Sequence, residues 1–240
     1  MVFPSKANPS LVSKVFNGIL SFFYPPFCSI CHSPLTDPQQ LVCMDCWSSM
    51  PSYGDFHLKF PMAKKSLNSV AVAILGEGES DDHLSRIVHE FKYERRLAHS
   101  QGIASRMALF LMNYPWMSNV NLIVPVPLHS SRLKSRGYNQ SQLLADYLGN
   151  TFGLPVVSEV LVRIRSTPSQ TSLNQQQRLQ NVAGAFQADN LNLLAGKNVL
   201  LVDDVITTGA TLNECAKTLL KAGAKNVHAV AGVHFQHPLP

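Results

Sequence analysis

Two adjacent carboxylates followed by a hydroxyl-rich turn are the residues of this chain best suited to chemistry. Asp203 and Asp204 end an apolar run, and the turn after them consists of small and hydroxyl-bearing residues: Thr207, Thr208, Gly209, Ala210 and Thr211. The N–H groups at the start of a helix bind phosphate, and the helix dipole acts in the same direction. The carboxylates repel phosphate, so they suit ribose hydroxyls or a magnesium-bound polyphosphate. The pattern predicts a site for a phosphorylated sugar, although acidic pairs also end strands in receiver-type and other α/β proteins.

The residues around this turn predict a strand, a helix and a second strand. Residues 199–202 are an apolar run, and apolar residues recur at helical spacing after the turn: Leu212, Cys215, Ala216, Leu219 and Leu220. Gly223 predicts the end of the helix, and residues 227–233 return as a second apolar run. Open α/β sheets bind ligands beyond the carboxyl ends of such strands, which places the turn at a ligand site.

Three alternating cations follow another apolar run. Residues 122–127 end in prolines, as a strand that stops at a loop would, and Arg132, Lys134 and Arg136 come directly afterwards. Cations close to a second strand end predict a clamp for a pyrophosphate group. A solvated basic loop is the alternative. A helix is predicted next, with four residues on its buried face: Leu143, Leu144, Tyr147 and Leu148.

The segment between the amino terminus and these cations also has regular periodicity. Residues 69–75 predict a strand, and a helical stripe follows at Leu84, Ile87, Val88 and Phe91. The cations that end this stripe are Lys92, Arg95 and Arg96. Their role stays open between the ligand site, nucleic acid and solvent. A further helix is predicted over residues 103–111.

Four cysteines in the amino-terminal quarter form two C-x-x-C pairs separated by eleven residues: Cys28, Cys31, Cys43 and Cys46. This spacing is typical of a closed, structural four-thiolate zinc site. Two disulfides are the competing interpretation, but no secretory signal is recognisable, and a cytoplasmic location would keep the thiols reduced. Cys215 is the odd cysteine and is predicted to be a buried core thiol.

Composition and charge limit the class of protein. A chain of 240 residues with 45% apolar and 15% charged residues can hold one core and a small metal module, and is not generally disordered. The net charge of +5 suits an anionic partner, whether small or polymeric. Residues 1–24 have the spacing of an amphipathic helix that packs on the protein, with membrane-surface or partner docking as the alternative. Their apolar stretch is too interrupted to span a bilayer.

Two groups of motifs resemble known families. The stretch V-L-L-V-D-D-V-I-T-T-G-A-T resembles the phosphoribosyl-pyrophosphate (PRPP) binding motif of the type I phosphoribosyltransferases. The cysteine pairs, the F-K-Y element and P-V-P-L followed by R-x-K-x-R-G-Y-N-Q resemble the competence protein F (ComF) family. The resemblance implies an α/β fold of the type I phosphoribosyltransferase kind, with a mostly parallel sheet flanked by helices. Together with the helical spacing at 1–24 and the polar, irregular stretch at 52–65, it divides the chain into an amino-terminal helix at 1–24, a zinc module at 25–60 and a phosphoribosyltransferase-like domain at 61–240.

The resemblance also implies a function. Asp203 and Asp204 would hold the ribose hydroxyls, and residues 207–211 would hold the 5-phosphate. The implied reaction transfers ribose 5-phosphate from PRPP, with magnesium, to an unknown nitrogen acceptor, in DNA uptake or nucleotide metabolism. The alternative is a non-catalytic PRPP- or nucleotide-binding adaptor that handles single-stranded DNA or competence proteins. No general base for the acceptor is evident.

A long polar segment precedes the acidic pair. Between Ser166 and Asn181 only three residues are apolar, so the segment has little to bury. Its position resembles that of the mobile catalytic loop of the amidophosphoribosyltransferases, which predicts a flexible lid over about 165–184. A lid would shield the reacting ribose from water, and its arginines would close over the pyrophosphate: Arg163, Arg165 and Arg178. A Gln/Ser-rich linker is the alternative.

Overall fold

The computed structural model describes residues 26–35, 41–50, 66–76, 82–93, 98–166 and 181–235. The chain divides into two compact units, Met1–Trp47 and Ser48–Pro240. The predicted helix at 1–24 and the predicted boundary near residue 60 lie outside the described residues, so the predicted domain limits stay a prediction. None of the described helices combines the length and the apolar character that crossing a membrane requires.

The described elements alternate between strands and helices along most of the chain. The strands are β1 (Ser69–Gly76), β2 (Leu122–Pro125), β3 (Leu161–Arg163), β4 (Phe186–Ala188), β5 (Asn198–Ile206) and β6 (Asn226–Phe235). The α-helices are α1 (Met44–Ser49), α2 (Asp82–Tyr93), α3 (Ala98–Leu111), α4 (Ser130–Arg136), α5 (Gln140–Phe152) and α6 (Ala210–Lys221). Two 3-10 turns lie at Pro115–Asn119 and Leu191–Leu193. The strands and helices predicted from periodicity are therefore confirmed within this part of the chain.

A parallel four-stranded sheet forms the centre of the larger unit, in the order β1-β6-β5-β2. Leu201 of β5 is the register partner of Val124 on one side and of Ala229 on the other. Because all four strands run the same way, the segments that leave β2 and β5 emerge at the same edge of the sheet. The predicted α/β fold with a mostly parallel sheet is confirmed, and β3 and β4 form a separate antiparallel hairpin.

Helices cover both faces of this sheet, since successive strand residues point to opposite sides. The stripe predicted for α6 packs into one core with Val199, Leu201 and Ala229, and it consists of Leu212, Cys215, Ala216 and Leu219. Helices α3 and α5 cover the other face. At Gly232 a Cβ would lie 2.7 Å from Ile103 of α3 and 2.9 Å from the Asp204 carbonyl oxygen. Glycine at this position therefore lets α3 approach the sheet beside the acidic pair.

Candidate functional site

The acidic pair lies within the last four residues of β5 rather than after the strand. Successive strand residues alternate in direction, so the two carboxylates diverge. Asp203 is 8% exposed, and its Oδ1 accepts hydrogen bonds from Ser141 Oγ at 3.0 Å and from the Asp204 backbone N–H at 2.9 Å. The Asp204 Oδ1 accepts from Val205 N at 2.9 Å, while its Oδ2 lies 3.4 Å from Lys92 Nζ. The two adjacent acids therefore have different surroundings.

These surroundings act on the charge of Asp203. Burial, and next the charge of Asp204, raise the pKa of Asp203 to about 8, against the opposing effects of Ser141, the Asp204 N–H and Lys92. Both causes favour the protonated form of this carboxyl.

The turn after β5 has the backbone geometry of a helix start. Gly209 has φ 75° and ψ 3° and directly precedes α6, and its carbonyl oxygen accepts the first helical hydrogen bond from Asn213 N at 2.9 Å. This left-handed conformation favours glycine, because other side chains are strained there. Thr208 Oγ1 accepts a long hydrogen bond from Ala210 N at 3.4 Å. The first N–H groups of a helix have no partner within the helix, so the turn presents donors suited to an anion.

The three predicted clamp cations lie on the short helix α4, which follows β2. Helix α4 begins after His129 and ends at Gly137, whose φ is 83°. On a helix, residues four apart share a face, so Arg132 and Arg136 are half-buried together, while Lys134 is exposed. The R-x-K-x-R spacing therefore places two arginines together and directs the lysine elsewhere. Arg136 Nη1 also donates to Gln140 Oε1 at 3.0 Å.

The antiparallel strands β3 and β4 carry a further arginine whose charge is coupled to that of Asp203. Arg163 lies with its guanidinium 5.3 Å from the centre of the Phe186 ring. Burial, and next the nearby charge of Arg132, lower the pKa of Arg163, while the charge of Asp203 acts in the opposite direction. The charges of Arg132 and Asp203 therefore both act on Arg163, although the three residues belong to three separate elements.

The ends of the predicted lid are held by hydrogen bonds. Arg165 Nη2 donates to the carbonyl oxygens of Asn181 at 3.1 Å and of Ala183 at 2.6 Å. Gly184 N donates to Glu214 Oε1 of α6 at 2.8 Å. The lid itself falls largely on residues 167–180, and with Arg178 it lies outside the described residues.

The four predicted metal ligands meet in the smaller unit. Their Sγ atoms all lie within 4.8 Å of one another, and Cys31 and Cys43 are 3.7 Å apart. A tetrahedron with Zn–S bonds of about 2.3 Å separates its sulfur atoms by about 3.8 Å. Backbone N–H groups of Ile30 and Cys43 each point at the Cys28 sulfur at 3.4 Å. The donor set and its spacing therefore fit a tetrahedral metal ion.

Two of the cluster's thiols have pKa values shifted in opposite directions. A hydrogen bond with the Ser33 hydroxyl is the main cause that lowers the pKa of Cys31 to about 6. Burial, followed by hydrogen bonds with the neighbouring cysteines, raises the pKa of Cys46. Cys215 is fully buried, as predicted, and burial raises the pKa of its thiol.

Two contacts of the acidic pair were not predicted from the sequence. Ser141 reaches Asp203 from the start of α5, and Lys92 reaches Asp204 from the end of α2. The sequence marks Lys92 as a cation at the end of a helical stripe, whereas Ser141 directly follows the G-Y-N-Q motif without a recognisable signal of its own.

Known proteins share sequence similarity with this chain. The sequence profile of the phosphoribosyl transferase domain matches residues 133–236. Competence protein F of Haemophilus influenzae is 31% identical over 225 residues, which cover 92% of this chain and 89% of the relative. The DNA utilization protein YhgH of Salmonella typhi is 36% identical over 151 residues, covering 60% of this chain and 64% of that protein.

Among solved structures, the glutamine PRPP amidotransferase of B. subtilis, complexed with ADP and GMP, matches with a TM-score of 0.40 and 18% identity. The match covers 60% of this chain and 30% of the amidotransferase. The sequence relationship, which extends over nearly the whole chain, decides the family: the chain belongs to the competence protein F family and carries its phosphoribosyl transferase domain.

Proposed function

We propose that this protein binds PRPP at the carboxyl edge of its sheet and transfers ribose 5-phosphate to a nitrogen acceptor. The observation that supports the proposal is the parallel pairing of β2 with β5, because the acidic pair and the helix start after Gly209 belong to the end of β5 and Arg132 on α4 follows β2. In the reaction, the bond between ribose C1 and pyrophosphate breaks, a bond to the acceptor nitrogen forms, and the acceptor loses a proton. Positioning and stabilisation of the departing pyrophosphate supply the catalysis.

Each predicted residue takes one part of the ligand. Asp203 and Asp204 form hydrogen bonds with the ribose hydroxyls. The turn at 207–211 holds the 5-phosphate through its N–H groups and hydroxyls. Arg132 and Arg136, which share a face of α4, are the cations proposed to hold the pyrophosphate, together with Arg165 and Arg178 of the predicted lid. Lys134 lies on another face of α4 and is proposed to contribute only its positive charge. Magnesium binds to proteins through one or two carboxylates together with phosphate oxygens and water. Both carboxylates here already have protein partners, so magnesium is proposed to enter as the PRPP complex.

Zinc is proposed for the four-cysteine cluster. Four sulfur ligands close the coordination sphere, so this is a structural site that stabilises the amino-terminal unit rather than a reaction centre.

Ligand titration tests the PRPP proposal. Wild-type protein is titrated calorimetrically with PRPP, ribose 5-phosphate and pyrophosphate, each with magnesium. Asp204→Asn is expected to bind PRPP and ribose 5-phosphate about 100-fold more weakly, since a hydrogen bond to a charged group contributes about 1.5–3 kcal/mol and two hydroxyls are involved. Binding of pyrophosphate, which has no hydroxyls of this kind, should survive the substitution.

The matched control is Asp146→Asn, which removes an exposed carboxylate on α5 and should change none of the three affinities. A wild-type protein that binds PRPP no better than pyrophosphate would contradict the proposal. If PRPP binds as expected, pyrophosphate release in the presence of candidate amines then identifies the acceptor.

A second candidate function is an adaptor that handles single-stranded DNA. Two observations favour it: the relatives are named for competence and DNA utilization, and the chain has a net charge of +5. Contacts with DNA phosphates release counterions, so the logarithm of the affinity for a labelled oligonucleotide should fall linearly with the logarithm of the salt concentration. Fluorescence anisotropy over a salt series measures this slope. Absence of binding at low salt would exclude the adaptor function for DNA.

A further inference from the structure

We propose that Lys92 is a positioning residue of the PRPP site, which acts by neutralising Asp204 so that the end of β5 accepts a polyanionic ligand. The inference rests on the proposed function and deepens it by adding a residue that the family motif around the acidic pair does not contain. Lys92 is separated from Asp204 by more than a hundred residues of sequence, yet the two side chains form an ion pair of 3.4 Å.

The ion pair is largely withdrawn from solvent. The side chains of Lys92 and Asp204 are 22% and 16% exposed. Ion pairs that water reaches freely are screened and contribute little, whereas partly buried ones are screened much less. Asp204 also accepts the Val205 N–H through its other oxygen, so the carboxylate is compensated on both sides.

The backbone that carries Lys92 is held from several directions. Tyr138 Oη donates to the Phe91 carbonyl oxygen, and Gln140 Nε2 donates to the Lys92 carbonyl oxygen at 3.3 Å. Two residues before Lys92, Glu90 Oε2 lies 2.9 Å from His99 Nε2 of α3, and both side chains are buried. Hydrogen bonds therefore hold the end of α2 both to α3 and to the α4–α5 turn. This fixes the backbone position from which Lys92 reaches Asp204.

The same network reaches the cationic helix. Gln140, which holds the Lys92 carbonyl oxygen through its Nε2, accepts from Arg136 through its Oε1. One glutamine thus connects the cation beside the ribose carboxylates with a cation of the proposed pyrophosphate clamp. Gln140 therefore links the Lys92 backbone to the Arg136 guanidinium.

Removal of Lys92 would leave the Asp204 carboxylate uncompensated next to a ligand that carries several negative charges. Repulsion between this carboxylate and a nearby anionic ligand is expected to weaken binding about tenfold. If Lys92 instead contacted the phosphates directly, its removal would weaken ligand binding whether or not Asp204 were charged. These two roles are therefore separable by experiment.

The experiment is a double-substitution cycle with inorganic pyrophosphate as the probe. Wild type, Lys92→Met, Asp204→Asn and the double variant are titrated with pyrophosphate and magnesium. Lys92→Met is expected to weaken binding about tenfold, and the double variant should bind about as well as wild type because no uncompensated carboxylate remains. Lys92→Arg keeps the charge and should restore most of the affinity, which a purely structural role of the lysine stem would not explain.

Equal losses from Lys92→Met in the wild-type and Asp204→Asn backgrounds would overturn the proposal, because Lys92 would then contact the phosphates itself. No loss in either background would overturn it as well. The unfolding temperatures of the variants are measured in parallel without ligand. The effects of the Lys92 and Asp204 substitutions on this temperature are also expected to be non-additive, because the two side chains form an ion pair. The proposed function fails separately, if wild-type protein binds pyrophosphate but does not prefer PRPP.

Discussion

Replacing Cys28 by serine is expected to remove the metal from the cysteine cluster and to unfold the amino-terminal unit. Cys28 is fully buried and its sulfur accepts two backbone N–H groups, so the substitution removes the most buried of the four ligands. Binding of structural zinc contributes about 10–16 kcal/mol of apparent free energy in small zinc domains at neutral pH, and most of it is folding free energy. Wild-type protein should contain one zinc ion per chain, and Cys28→Ser should contain nearly none.

The chain supplies its own control, because Cys215 is a buried thiol that belongs to the sheet core. Cys215→Ala should keep one zinc ion per chain and lose only packing energy. Metal analysis by mass spectrometry and titration of free thiols under denaturing, non-reducing conditions distinguish the two interpretations of the cysteine pairs. Zinc-free wild-type protein with fewer than five titratable thiols would contradict the metal site and favour disulfides.

Local features of the site could be predicted because they depend on residues close in sequence. The strand before Asp203, the glycine before α6 and the buried stripe of α6 all follow from periodicity and from the conformations that glycine allows. The cysteine cluster is similar, since the spacing within each C-x-x-C pair already places two sulfur atoms together. The structure brings each of these predicted groups together.

Contacts between distant segments could not be predicted in this way. Ser141 and Lys92 reach the acidic pair only because β2 and β5 are neighbours in the sheet and α2 ends above it. The clamp cations show a second limit: the segment from Ser130 is too short for periodicity to distinguish a loop from a helix. The helix that forms pairs Arg132 with Arg136 and separates Lys134 from them.

Asp203→Asn is expected to stabilise the protein at alkaline pH relative to wild type. Burial, followed by the charge of Asp204, raises the pKa of Asp203 from its ordinary value of 3.8 to about 8. The folded state therefore holds a proton on this group where the unfolded chain has lost it. The stability that this group contributes is fully present below pH 3.8 and is lost as the pH rises through about 8. Asparagine resembles the protonated carboxyl and does not ionise, so the variant lacks this loss.

The measurement is the free energy of unfolding in urea at pH 5.5 and pH 8.5 for wild type and Asp203→Asn. The free energy of unfolding of the variant, relative to that of wild type, should increase by about 1–3 kcal/mol from pH 5.5 to pH 8.5. The reason is that a shifted pKa changes stability by up to about 1.4 kcal/mol per pH unit. Asp146→Asn controls for the loss of one carboxylate at an exposed position. Parallel pH profiles for wild type and Asp203→Asn would mean that Asp203 is ionised in the fold at neutral pH. The Asp203 carboxylate could then only accept hydrogen bonds from the ribose. The acidic pair would carry two negative charges, and the positive charge of Lys92 would be still more important for neutralising them.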